Sequence, residues 1–341
     1  MQSSMAQRRR QVVWRFLHCA NGAHGGSMTQ ALPKDFAEYL AGGADRLAFL
    51  QRYLADWGVA TAVVPLAGRK HLYVNFPTSA YNPLFKIKTV ITHYDRVPNS
   101  PGANDNSAAN LMIADWAGRL LSAIRRGAQP NVRIFFTDGE ELGENGVAEQ
   151  GAFALAELFR KLGITRDDVY VFDACGRGTV AVLAQAGLTA LKKAGTGFKK
   201  QFASLYQRTE RLLREVSPEQ WMTLPVPYSD NAGFLACGIP AVAITFLPAD
   251  EATDYARELL RDKNLEKVVM NSSPADGDTA HADGSRAAQT HLPYHFQYVE
   301  KMPKTWRLFH TEYDNLFSLT PESWDLLAKI LDALGNATFL A

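Results

Sequence analysis

Apolar residues recur along the chain at two spacings, and these spacings are the clearest structural signal in the sequence. Steps of three and four residues predict helices, the first from Pro33 to about Gly58 and others near 107–125, 151–161, 198–216, 254–267 and 321–334. Runs of β-branched and aromatic residues predict strands at 60–66, 71–76, 86–93, 131–137, 169–173, 179–184 and 241–246. Helices and strands therefore alternate through most of the chain.

This alternation is typical of an α/β domain in which helices cover both faces of one sheet. We predict a three-layer α/β/α fold with a mixed, mostly parallel central sheet. No linker-like segment divides the region, so residues 28–341 are predicted to form a single domain. Residues 1–27 lack this pattern and are predicted to be a disordered extension. The domain is predicted to contain a long insertion around 248–304.

Within that insertion, residues 271–293 are rich in Ser, Asp, Gly, Ala and Pro and lack hydrophobic periodicity. Such a run is typical of a mobile loop or a lid over a site. Its aspartates could suggest a calcium loop that starts at Asp276. The EF-hand pattern requires Glu at the twelfth position, where Ala287 stands, so a calcium loop is disfavoured.

Composition and charge exclude several classes of protein. The chain has 36 Lys and Arg against 35 Asp and Glu, a formal net charge of +1, which disfavours nucleic-acid binding through phosphate neutralisation. No apolar run is long enough for a membrane span. Three widely separated cysteines fit neither a disulfide framework nor a cysteine metal site. We therefore predict a cytoplasmic location, although the basic segment Arg8–Arg10 leaves an atypical targeting signal open.

Carboxylates and imidazoles follow the ends of the predicted strands, where α/β sheets place their sites. His93 ends one strand, Glu140 and Glu141 follow the next, and Asp173 ends a third. A loop contributes Asp105, and a late segment contributes His310.

Carboxylates that converge without a cation repel one another, so such a set normally surrounds metal ions. Imidazole and carboxylate without cysteine indicate zinc or a similar divalent ion. One catalytic zinc takes about three protein ligands. Five of these residues are candidate ligands, which suits two ions that share a carboxylate: His93, Asp105, Glu141, Asp173 and His310. Taken singly, Glu140 and Glu141 could be a solvated helix start and Asp105 a helix N-cap.

Five segments, in order, resemble the motifs of metallopeptidase family twenty-eight, the di-zinc aminopeptidases. They are THYDRVPNSPGANDNSAAN, FFTDGEELGENG, FDACG, YSDNAGFLACGIPAVAI and FHTEYDNL. The resemblance covers roughly 86–246 and 305–335, and it implies a fold like that of the zinc exopeptidases.

The resemblance also implies a role for each matching residue. His93 and Asp173 would bind one zinc, Glu141 and His310 the other, and Asp105 would bridge both. Glu140 would be the general base that takes a proton from the attacking water and passes it to the leaving amine. Asp95 would accept the second N–H of the His93 ring and fix its tautomer.

Two positions depart from the family pattern. Many relatives have His where Asn231 stands, and some have Tyr where Phe309 stands. That Tyr is thought to help stabilise the oxyanion. Three other tyrosines could substitute for it, and the sequence does not choose among Tyr94, Tyr228 and Tyr313.

The predicted function is a zinc-dependent aminopeptidase with two ions per chain that acts on a peptide or aminoacyl substrate. A glutaminyl cyclase with a single zinc is the first alternative, and an inactive receptor or scaffold is the second. All five ligand positions and the base are filled, which favours the hydrolase. The sequence indicates no nucleic-acid partner and no membrane span, and it does not indicate an oligomeric state.

Overall fold

The computed structural model describes residues 34–141, 146–185, 194–271 and 296–341. The predicted extension 1–27 lies outside the described residues, as does the predicted loop 271–293 apart from its first residue. Both remain predictions. Within the described ranges, none of the helices combines the length and apolarity that crossing a membrane requires.

Eight strands form one sheet. They are β1 (Thr61–Leu66), β2 (Arg69–Val74), β3 (Lys88–His93), β4 (Val132–Thr137), β5 (Asp168–Phe172), β6 (Val180–Ala184), β7 (Trp221–Leu224) and β8 (Ala241–Leu247). Their spatial order is β1-β2-β4-β3-β5-β8-β6-β7. The central strands β4, β3, β5 and β8 run parallel, whereas β1, β2 and the β6–β8 pairing are antiparallel. The predicted mixed sheet with a parallel centre is confirmed.

Ten α-helices connect and flank these strands in the described residues. They are α1 (Lys34–Leu40), α2 (Arg46–Asp56), α3 (Ala108–Ile124), α4 (Gly151–Lys161), α5 (Thr196–Val216), α6 (Asn231–Ala236), α7 (Ala249–Arg261), α8 (Lys263–Asn271), α9 (Lys304–Leu308) and α10 (Pro321–Asn336). Short 3-10 turns lie at Thr78–Ala80, Val147–Glu149, Phe296–Lys301 and Leu316–Ser318.

Two apolar cores lie on opposite faces of the sheet. Neighbouring strand residues alternate between them, because successive side chains of a strand point to opposite faces. Val90 and Tyr170 contribute to one core, with residues from α1, α2, α3, α5 and α10. Ile91 and Val171 contribute to the other, with residues from α4, α7, α8 and α9. The predicted three-layer α/β/α architecture is therefore confirmed.

The structure differs from the predicted elements in a few places. The first predicted helix is two helices, because the helix is interrupted at Gly42-Gly43. Asp45 then caps α2, since its side chain accepts a hydrogen bond from the Ala48 N–H at 3.0 Å. The helix predicted at 254–267 is also two, α7 and α8. Strand β7 and helix α6 were not predicted, because each is too short to show a period.

Lys88 is the first residue of β3 and therefore lies at the end of the strand away from the predicted site. Its side chain is buried, and its ammonium donates to the carbonyl oxygens of Gly335, at 3.5 Å, and Ala337 at the end of α10. Burial lowers the pKa of Lys88 to about 8. A cation at this position satisfies carbonyl groups that the helix end leaves without partners.

Candidate metal centre

His93 and Asp173 lie side by side at the carboxyl ends of adjacent parallel strands. His93 is the last residue of β3, and Asp173 directly follows β5. The His93 ring is buried, and its Nε2 lies 3.4 Å from Oδ1 of Asp173. The sheet therefore fixes the position of both side chains.

Asp105 lies in the turn Ala103–Ser107, which precedes α3 and contains a cis peptide bond between Asp105 and Asn106. The Asn106 side chain holds this turn against the sheet by donating to the Phe172 carbonyl at 2.9 Å and to the Thr92 hydroxyl at 3.0 Å. The Asp105 carboxylate is buried and projects into the site between two imidazoles.

The two oxygens of Asp105 face two different groups of side chains. Oδ1 lies 3.1 Å from Nε2 of His93, and Oδ2 lies 3.6 Å from Nε2 of His310. The second imidazole is in turn 2.8 Å from Oε2 of Glu141. Unlike His93, His310 lies in a turn, where its backbone has a positive φ of 62°.

The separations of His93 from Asp173 and of His310 from Asp105 suit ligands that share an ion better than they suit hydrogen bonds, whereas the 2.8 Å between His310 and Glu141 also suits a hydrogen bond. Two ligands of one tetrahedral zinc, each about 2.0–2.1 Å from it, lie about 3.3 Å apart. Nε2 of His93 and Oδ1 of Asp173 are buried, and neither finds a hydrogen-bond partner among the described residues. Since unpaired buried polar atoms are costly, the donor set fits divalent cations.

The charges around these ligands also favour added positive charge. Burial opposes protonation of His310, yet the carboxylates of Asp105 and Glu141 raise its pKa to about 11. Burial opposes the charged form of His93 as well, and Asp105 and Asp173 nevertheless raise its pKa well above the ordinary value. Burial, reinforced by the nearby Asp105 charge, raises the pKa of Glu141 to about 7. Bound cations would supply the positive charge that these carboxylates otherwise draw from protons.

Asp95 links the two strand ends that carry the site. Its Oδ1 and Oδ2 accept the backbone N–H groups of Glu140 and Glu141 at 3.2 and 3.1 Å. Its Oδ1 also lies 3.5 Å from Nδ1 of His93, which is long for the hydrogen bond that the sequence predicted. Asp95 thus contacts the predicted base, Glu140, and two predicted ligands, Glu141 and His93.

The sequence pattern that defines peptidase family M28 matches residues 85–334, more than half of the chain. The chain belongs to peptidase family M28. The family predicted from the motifs is therefore confirmed. No curated protein matches the sequence.

Solved structures with a similar fold carry the names of two activities. The LapA aminopeptidase of Legionella pneumophila is 14% identical with a TM-score of 0.53, over 98% of this chain and 74% of that chain. The glutaminyl cyclase of Tannerella forsythia is 13% identical with a TM-score of 0.53, over 89% of this chain and 96% of that chain. At such low identity these structures are evidence for the fold alone.

A third structure, of the zinc aminopeptidase BSAP from Bacillus subtilis, is 13% identical with a TM-score of 0.46. The alignment covers 78% of this chain and 49% of that chain. The chain therefore spans about half the length of BSAP.

Glu140 contacts Gln150, the residue that precedes α4. Its Oε1 accepts a hydrogen bond from Nε2 of Gln150 at 3.2 Å, and its backbone carbonyl oxygen lies 3.3 Å from the same amide. Burial raises the pKa of Glu140 well above its ordinary value, and the charge of His93 opposes this rise. A carboxyl group in such surroundings holds a proton more readily than one in water.

Asp230 and Asp314 are two buried carboxyl groups at the site to which the sequence analysis gave no role. Asp314 accepts the backbone N–H groups of Asn104 at 2.8 Å and Asp105 at 3.0 Å, so it holds the turn that presents the Asp105 carboxylate. Asp230 precedes α6 and accepts the hydroxyl of Thr137, the last residue of β4. Its other oxygen is buried without a partner in the described parts of the chain. Both residues lie in motifs that the sequence analysis quoted, Asp230 in YSDN and Asp314 in FHTEYD.

The three tyrosines considered as oxyanion donors differ in position. The hydroxyl of Tyr94 donates to the carbonyl of Lys70 at 2.7 Å, so its proton is already engaged, which disfavours this candidate. Tyr313 is 64% exposed. Tyr228 is half-buried, and burial raises its pKa.

His71 lies behind the loop that carries Glu140 in the M28 chain. It belongs to β2 and is fully buried, and its Nδ1 accepts the backbone N–H of Asp138 at 3.3 Å. A Cβ atom on Gly151 would lie 2.8 Å from this ring, so the first residue of α4 packs directly against it. Burial lowers the pKa of His71 to about 4.

Proposed function

We propose that this M28 chain is a zinc-dependent aminopeptidase that holds two ions and hydrolyses the N-terminal bond of peptides or aminoacyl compounds. The observation that carries this proposal is the position of Asp105. One of its oxygens faces His93 and the other faces His310. A carboxylate between two separate sets of ligands is what a pair of divalent ions requires.

The proposed ligand groups follow from these contacts. His93 and Asp173 would hold one ion, His310 and Glu141 would hold the other, and Asp105 would contact both. When bound, two zinc ions supply an activated water, a polarised scissile carbonyl and an anchor for the free amine of the substrate.

Glu140 is proposed as the general base. It takes a proton from the attacking water and later gives it to the nitrogen of the leaving amine. Its hydrogen bond with Gln150 orients the carboxyl group, and the N–H that Asp95 accepts fixes the backbone beneath it. Buried surroundings favour the protonated form, which assists the second half of this cycle.

The alternative is a glutaminyl cyclase that uses one zinc and closes an N-terminal glutamine into a ring with loss of ammonia. This alternative stays open because the fold of the Tannerella forsythia cyclase is similar over 89% of this chain and 96% of that chain. The filled set of five ligand positions favours the peptidase. An inactive scaffold is disfavoured for the same reason, since the positions of the ligands and of the base all hold suitable residues.

The test combines a metal count with product analysis. Metal-free protein is reloaded with zinc, the ions per chain are counted by mass spectrometry, and aminoacyl anilides and Gln-peptides are supplied as substrates. Two ions and release of the N-terminal residue support the proposal, whereas one ion and ring closure overturn it. A peptide with an acetylated N-terminus is the matched control and should not be cleaved.

A variant tests the base itself. Glu140→Gln keeps an acceptor for Gln150 and should leave the number of bound ions unchanged. Because general base catalysis contributes roughly 10²- to 10⁴-fold, kcat should fall by about that factor. Unchanged hydrolysis by this variant would show that Glu140 is not the base.

A further inference from the structure

Arg177 joins three separate parts of the fold. It lies in the loop that follows β5, close after Asp173 in the sequence. Its guanidinium donates from Nε to the hydroxyl of Thr305 at 3.0 Å, from one terminal nitrogen to the carbonyl of Ser318 at 2.8 Å, and from the other to Oε1 of Glu251 at 3.3 Å. The planar guanidinium can serve three acceptors in fixed directions, which a lysine cannot.

Further hydrogen bonds surround this arginine. The second oxygen of Glu251 accepts the backbone N–H of Thr305 at 2.7 Å. The Gly178 N–H donates to the hydroxyl of Thr320 at 2.6 Å, and the Thr320 N–H donates to the carbonyl of Gly176 at 3.0 Å. The loop after β5 is therefore bonded along its length to the segment 305–320.

This segment contains His310 and Asp314. The hydroxyl of Ser318 lies 3.3 Å from Oδ1 of Asp314, and Oδ2 of the same carboxylate accepts the backbone N–H of Asp105. Arg177 is thus linked through Ser318 and Asp314 to the turn that carries Asp105.

His310 depends on such contacts because no strand holds it. His93 and Asp173 lie at the ends of paired strands, whereas His310 lies in a turn at 25% side-chain exposure. Ligands must be held within about 0.5 Å of their working positions for an ion to bind tightly. The contacts of the 305–320 segment with the rest of the fold must supply that precision.

We propose that Arg177 is a positioning residue of the metal pair. It fixes the segment that carries His310 against the loop that carries Asp173, and so sets the spacing that Asp105 spans. The helix α7, which supplies Glu251, becomes part of the support of the metal centre. This proposal rests on the proposed two-metal function.

The experiment measures binding of cobalt ions to the full-length, metal-free protein by visible absorption, one step for each site. Arg177→Met should weaken the step that depends on His310 by roughly 10- to 100-fold, the range for residues that orient metal ligands. It should leave the step at His93 and Asp173 close to that of the wild type. His310→Ala identifies which step is which, and Arg177→Lys should recover part of the lost affinity.

Arg133→Met is the matched control. Arg133 forms an ion pair with Asp167 at the opposite edge of the sheet, and both side chains are about as buried as those of Arg177 and Glu251. This variant should lower the free energy of unfolding without weakening either cobalt step.

Three results would overturn the proposal. The first is wild-type affinity at both steps in Arg177→Met. The second is an equal loss at both steps, and the third is the same loss in Arg133→Met, since both of these indicate general destabilisation. A wild-type protein that binds fewer than two ions overturns the proposed two-metal function, and this proposal with it. The failure of each proposal therefore has its own signature.

Discussion

His71 predicts how the protein responds to acid. The ring is fully buried behind the loop of Glu140, and burial lowers its pKa from 6.5 to about 4. The nearby carboxylate of Asp95 favours the charged form, and the positive charge of Arg69 opposes it. The folded protein therefore keeps this imidazole neutral at a pH where an exposed histidine is charged.

The sign and size of the effect follow from this difference in pKa. Because the folded pKa lies below the unfolded one, the unfolded chain takes up the proton first as the pH falls. The contribution is complete above pH 6.5 and is lost progressively toward pH 4. The two values correspond to about 3 kcal/mol in total, of which about 2 kcal/mol is lost between pH 7.5 and pH 5.

His71→Asn isolates this contribution. The Asn side-chain oxygen can accept the Asp138 N–H as Nδ1 does, but it cannot titrate. The free energy of unfolding of both metal-free proteins is measured in urea at pH 7.5, 6.5, 5.5 and 5. The carboxylates of the site are present in both proteins, so their titration cancels in the difference. The variant should lose about 2 kcal/mol less than the wild type over this range.

A control separates titration from packing. Leu72→Val removes a methylene from the neighbouring, fully buried position of β2 and should lower stability equally at every pH. If the curve for His71→Asn also runs parallel to that of the wild type, the assignment of a neutral, buried His71 is refuted.

Three further predictions concern the support of the site and of the sheet. Asp314→Ala leaves two buried backbone N–H groups without acceptors and should lower the free energy of unfolding by about 2–5 kcal/mol, measured in urea. Gly151→Ala places a Cβ 1.8 Å from the Asp138 carbonyl oxygen and should weaken cobalt binding, whereas Gly42→Ala meets no atom within 4 Å and should not. Lys88→Met removes an amine whose pKa burial lowers to about 8, so the stability of the wild type relative to this variant should rise between pH 8 and pH 10.5, measured by unfolding at each pH.

The central elements of the fold could be predicted because burial gives them a strong pattern. Strand β3 is buried along its whole length, and its apolar run in the sequence matches it closely. Strand β7 has only four residues, of which three are half-buried, so no period could reveal it. The break between α1 and α2 depends on a local cap at Asp45, which competes with a continuous apolar periodicity.

The candidate ligands were predictable to different degrees. His93 and Asp173 follow from strand ends, since parallel strands bring their carboxyl ends to one edge. His310 lies in a turn, so its place near Asp105 could be expected only from the motif around it. Arg177 left no signal, because its partners come from α7 and from the segment 305–320, which only the folded chain brings to it.

The position of β8 has a consequence for the order in which the protein is assembled. β8 pairs with β5 on one side and with β6 on the other, although β6 and β7 precede it along the chain. A nascent chain that ends before β8 therefore leaves β5 as an open strand edge, which is a template for aggregation. Since His310 leaves the ribosome later than β8, the full set of proposed ligands exists only after the strand that covers this edge has been made. Binding of an ion that needs His310 therefore cannot contribute to folding while this edge is still open.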